Sequence, residues 1–120
     1  MGISYSNAIH WHLEWVINIL ADIKTPEAMI PGEIARDDAC EIGKWLIDEG
    51  AQYQDLPEYR ELQAIHRDLH KCVADAVLLA QSGKLNDAEQ QFFHDGACIN
   101  KSKDLLEVCG RLFRKIDEGA

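Results

Sequence analysis

The stretch LQAIHRDLHKCVADAVLL, residues 62–79, decides how this chain folds. Leu62, Ile65, Leu69, Cys72, Ala76 and Leu79 step by three and four, which makes one apolar stripe at the helical period. A half-buried strand would alternate every second residue instead. The same stretch carries His66 and His70. Residues four apart lie about 40° apart around a helix and one turn apart along it, so both imidazoles leave the same side. They fall just off the Leu62–Ile65–Leu69 stripe, which predicts a place at the edge of the core.

Three more helices are predicted around this one. The first spans about residues 4–24, with Ile9, Leu13, Val16, Leu20 and Ile23 as its apolar stripe. Pro26 ends it by pushing Thr25 out of the helical region. TPEAMIPGE, with two prolines and a glycine, reads as a loop. The second helix starts near Asp37 and Asp38, whose carboxylates suit a helix N-terminus; it buries Ile42, Trp45 and Leu46 and stops at Gly50. Pro57 suits the first turn of the third helix, which ends at Ser82-Gly83. Asn86 with Glu89 resembles a capping box for a long fourth helix, where Phe92, Ile99, Leu106 and Phe113 recur every seven residues. That face is wider than one seam needs, which predicts packing against a second copy of the chain. The expected fold is all-α: an antiparallel four-helix bundle, one domain over residues 1–120.

Composition narrows the function. Apolar residues are 47% of the chain and the formal net charge is −9, from 21 acids and 12 bases. Such a chain buries a core, and its charge repels nucleic acid and anionic membrane, so neither is an expected partner. No apolar run reaches the roughly 18 residues that span a bilayer. MGISYS loosely fits an N-acylation pattern, but no second membrane signal follows it. No secretory signal is evident, so the expected location is the cytoplasm, with Cys40, Cys72, Cys98 and Cys109 reduced. Cys72, Cys98 and Cys109 read as core packing.

By itself a helical His-x-x-x-His pair is weak evidence for a metal. Buried histidines bonded to carbonyls, or to carboxylates such as Asp68 and Glu61, account for it as well. Two further elements matter. His12, in HLEW, lies one position off the first stripe, with Trp15 on the same flank. Cys40, in CEIGKWL, falls in the first turn of the second helix, where unpaired N–H groups and the helix dipole favour a thiolate. Gly43 would let a neighbouring helix approach closely. Three imidazoles and one thiolate from three helices make a closed shell suited to Zn²⁺, at about 2.0–2.1 Å from nitrogen and 2.3 Å from sulfur. A closed shell leaves no position for an activated water, which argues against a hydrolytic enzyme.

HLEW, CEIGKWL and HRDLH, in this order and spacing, resemble the motifs of the chemoreceptor zinc-binding (CZB) family, with Ile42 where Leu or Phe is usual. The resemblance runs from about His12 to Leu79. It implies that His12, Cys40, His66 and His70 are zinc ligands, that the fold is a four-helix homodimer, and that the role is regulatory rather than catalytic. In relatives the domain is attached to bacterial chemoreceptor signalling regions or diguanylate cyclase domains, where it reports zinc or oxidation of the ligand cysteine. No such output region is recognisable in these 120 residues. Trp15 and Trp45 are expected to wall the site; His10 is expected to face solvent, and His94 to sit at an interface.

Two other readings compete. A hemerythrin-like di-iron carrier would need bridging carboxylates, and only fragments are present: His10 with Glu14, and His70 with Asp75. An adaptor bundle with a purely structural zinc would use the same four ligands.

Overall fold

A computed structural model describes residues 5–119. Residue 4, at the expected start of the first helix, and the acylation pattern at Gly2 lie outside them. The described residues are all-helical, without strands. They form α1 (Tyr5–Asp22), α2 (Pro31–Ile34), α3 (Glu41–Ile47), α4 (Pro57–Gln81), α5 (Leu85–Gln90) and α6 (Ala97–Asp117), with 3₁₀ turns at Pro26–Ala28 and Glu49–Tyr53. None of these helices is long and apolar enough to cross a membrane.

The long helix α4 organises the rest. Pro57 sits in its first turn, where a missing N–H costs nothing. Gly83, at φ +81°, closes it: Gly83 N–H donates to the Ala80 carbonyl and Lys84 N–H to that of Leu79. This pair of bonds satisfies carbonyls that the helix end leaves open. Leu62, Leu69, Val73, Ala76 and Val77 are fully buried, whereas Ile65, Cys72 and Leu79 are half-buried. The inward row therefore runs Leu62–His66–Leu69–Val73–Val77, rotated from the expected stripe. His66 and His70 lie inside the core, not at its edge.

Helix α6 packs along α4, and α1 packs on α6 and α3. Leu105, Val108, Cys109 and Leu112 face inward from α6. Each such Leu or Val contributes about 1.5–3 kcal/mol by leaving water. Arg111 donates to Glu61 at 2.8 Å across the α4–α6 seam, and this guanidinium holds the Glu61 carboxyl below its usual range.

Several expected elements differ. The fourth helix is two helices, α5 and α6, separated by a turn in which His94 adopts φ +53°. At Gly96, which caps α6, a Cβ would come 2.2 Å from the Gln90 carbonyl oxygen. Phe92 and Phe113 are buried, but Ile99 and Leu106 are only half-buried, so the seven-residue row is not the core seam. The cap of α5 is Lys84, with no side-chain bond from Asn86. In α1 the buried positions are Ala8 and His12, while Leu13 is exposed. Part of the expected loop after Pro26 folds as α2, and α3 begins at Glu41 rather than beside Asp37 and ends before Gly50.

Candidate metal centre

Helix α1 turns His12 inward on the same face as Ala8, one turn earlier and fully buried. Only 4% of His12 is exposed. Helix α4 contributes His66 and His70, exposed by 0% and 2%. Cys40 arrives from the α3 terminus, not as a first-turn residue but as the cap: its extended backbone precedes Glu41, and Gly43 N–H donates to its Sγ at 3.4 Å. One ligand-type atom from each of His12, Cys40, His66 and His70 lies within 4.8 Å of all the others. The sequence-selected set is thus brought together in one buried place.

Orientation comes from the surroundings. Cys40 Sγ is 2.9 Å from His66 Nε2, which is 3.2 Å from His70 Nε2. His70 Nδ1 lies 2.9 Å from the Ile34 carbonyl oxygen. A carbonyl only accepts, so Nδ1 carries the proton and Nε2 keeps its lone pair toward the cluster. Sequence reasoning missed Ile34. Its contribution is a backbone oxygen, which any residue type supplies, so no side-chain pattern marks it.

Trp15 covers the site as expected, with its ring 4.3 Å from that of His70 and 5.2 Å from that of His12. Trp45 does not: its ring contacts are Tyr53 and Phe113, in the core. Gly43 permits a close approach, but by the chain's own preceding loop rather than a neighbouring helix. A Cβ there would lie 1.7 Å from the Asp37 carbonyl oxygen. A cavity of about 430 Å³ lined by Trp11, His12, Trp15, Cys40, Glu41 and Ile42 opens beside the sulfur.

Burial holds the imidazoles neutral. Loss of hydration, then the nearby His70 charge, lowers His12 to about 3. The same two causes lower His66 to about 2, with a further contribution from His12. Burial also lowers His70, partly opposed by its bond to Ile34. Neutral imidazole is the metal-binding form. Cys40 goes the other way: burial raises its thiol although the Gly43 and Ile42 N–H groups pull it down, so the helix terminus alone does not secure a thiolate.

The donors fit zinc. His12 Nε2 is buried without a hydrogen-bond partner, while the His66 nitrogen that faces the cluster is Nε2, beside Cys40 Sγ. An unpartnered buried group costs about 1–3 kcal/mol unless something compensates it. Three neutral nitrogens and one sulfur around a common point are the donor set of a closed Zn²⁺ site. The carboxylates of the carrier fragments do not join it: Glu14 lies 2.9 Å from His10 on an exposed face, and Asp75 is exposed. His94 is exposed in the α5–α6 turn.

A family model of the chemoreceptor zinc-binding domain matches residues 12–77. That is just over half of the 120 residues, and it takes in all four clustered side chains. No curated protein and no solved structure matches the chain.

Proposed function

This chain belongs to the chemoreceptor zinc-binding domain family, and on that footing we propose that it is a zinc-dependent sensory domain with His12, Cys40, His66 and His70 as ligands. The observation that carries the reading is the convergence of these four side chains from α1, the α3 cap and α4 within 4.8 Å. Zinc, when bound, supplies a cross-link among those segments. His70 is aimed by Ile34, Trp15 keeps water from the two rings it covers, and Gly43 holds the cap turn that presents Cys40. With four protein donors no coordination position is left for an activated water, which favours regulation over catalysis.

Cys40 is the donor through which the site responds. Falling free zinc empties the site, and oxidation of the sulfur removes the soft ligand. Either event releases the start of α3 from α1 and α4. The altered packing is what an output region reads, in a cytoplasmic setting: a bacterial chemoreceptor or a diguanylate cyclase, in cis or as a separate chain. The proposed arrangement is a single domain, an antiparallel four-helix bundle of α1, α3, α4 and α6, paired as a homodimer through a face that includes the half-buried Ile99 and Leu106.

Elemental analysis of the purified chain tests the core of this. One zinc per chain, lost in Cys40→Ala, is the expected result. Two irons per chain, or zinc retained at full affinity by the variant, would overturn it. Light scattering of the zinc-loaded protein reads the dimer separately.

A further inference from the structure

Cys72 and Cys98 are the two sulfurs that the metal centre leaves unused and that touch each other. Cys98, in the first turn of α6, is fully buried, and its thiol donates to Cys72 Sγ on α4 at 3.1 Å. Cys72 is only half-buried. One turn away along each helix, Lys101 on α6 comes within 4.0 Å of Asp68 on α4. The other thiols have no comparable partner: Cys40 faces His66, and Cys109 lies in the apolar core. A disulfide needs its sulfurs about 2.05 Å apart. The pair is therefore about 1 Å short of bonding distance, within reach of side-chain rotation.

We propose that Cys72 and Cys98 form a second sulfur site, independent of the zinc reading: a dithiol that a two-electron oxidant of the peroxide class closes into an intramolecular disulfide between α4 and α6. In the first step the Cys72 thiolate attacks one oxygen of hydrogen peroxide. The O–O bond breaks, Cys72 becomes a sulfenic acid, and hydroxide leaves to take up the proton that Cys72 released. In the second, Cys98 sulfur attacks the sulfenic sulfur, the S–O bond breaks, and the Cys98 proton leaves with that hydroxide as water. Two thiols and one peroxide give one disulfide and two waters. The cross-link fastens the beginning of α6 to α4 two residues beyond His70. It bypasses α5 and the turn at His94.

The test uses the zinc-loaded full chain, treated with graded hydrogen peroxide, then alkylated, digested with trypsin without reductant and mapped by mass spectrometry. The expected product joins the peptides of residues 72–84 and 85–101 with loss of two hydrogen atoms. Thiol titration after denaturation should then find at least two of the four cysteines gone, with Cys40 a third wherever the oxidant has also reached the metal centre. Cys109 survives because burial pushes its thiol up to about 12. Cys72→Ser, at the half-buried position, abolishes the linked peptide without the folding risk of changing Cys98. Zinc measured in the same samples separates this site from the metal centre: a linked pair forms whether or not zinc is found. Peptides oxidised singly, linkage of Cys72 to another chain, or linkage through Cys40 or Cys109 instead would overturn the proposal.

Discussion

His70 Nδ1 lies 2.9 Å from the carbonyl oxygen of Ile34, and that contact fixes which nitrogen of His70 faces the cluster. Ile34 ends α2, a four-residue helix packed on α4. A short helix thus acts on the site through one backbone atom. Outer partners of this kind set ring orientation and tautomer, and losing one typically costs 10–100-fold in metal affinity. In the metal-free protein, nitrogen-15 spectra should show His70 protonated at Nδ1 and bare at Nε2. The opposite tautomer would mean that Ile34 does not aim the ring.

Gly43 carries the second prediction. The nearest atoms to a Cβ there are all backbone: Asp37 oxygen at 1.7 Å, Asp37 carbonyl carbon at 2.8 Å and Asp38 Cα at 3.0 Å. None can swing aside. Gly43→Ala should therefore push the loop away from the cap turn, at about 1–3 kcal/mol for an overpacked site. In a domain of this size that is a drop of about 5–12 °C in melting temperature. Because the same turn presents Cys40, zinc affinity should fall by at least about 10-fold. Lys44→Ala, at the exposed next position, is the control. Equal melting of Gly43→Ala and the parent would show that the close approach does not exist.

Which features were legible in the sequence follows from what each rests on. Leu62 and Leu69 announced α4 because apolar periodicity is a side-chain property. The same counting misplaced His66 and His70 at the core edge, since a histidine scores as polar even when it occupies the apolar row. The four-residue set could be named because its chemistry resides in side chains. The Ile34 carbonyl and the Asp37 carbonyl under Gly43 could not, since every residue has one. The α5–α6 break was hidden by a row of apolar residues that continues through it, and a single glycine is tolerated within many helical patterns.

Gly96→Ala turns that break into a question of sign. In an uninterrupted helix, alanine in place of glycine gains up to about 1 kcal/mol. In the observed turn the new Cβ meets the Gln90 oxygen at 2.2 Å and the Gln91 oxygen at 2.5 Å, so the substitution should destabilise by about 1–3 kcal/mol. Denaturant titration decides between the two. His94→Gly, which removes a left-handed non-glycine residue, should not reproduce the loss. A stabilised Gly96→Ala would restore the single long helix. Zinc content should be unchanged in both variants, because the turn contributes nothing to the cluster.

Chelation tests whether the metal holds the whole fold or only part of it. Helices α4 and α6 bury Leu62, Leu69, Val73, Val77, Leu105 and Leu112 in one apolar core with no help from a ligand atom. By contrast, α3 is seven residues long and is held by the Cys40 end, a few apolar side chains, the Tyr59 hydroxyl donating to the Leu46 carbonyl at 2.7 Å, and Trp45 stacked on Phe113. Helices that short are marginal without tertiary support. Removing zinc should therefore leave most of the circular dichroism signal in place. Hydrogen exchange should rise selectively over Glu41–Ile47 and in the turn of α1 around His12, while the centres of α4 and α6 stay protected. Uniform loss of protection would instead make the zinc a structural staple of the entire domain, and a sensory role built on local release of α3 would fall with it.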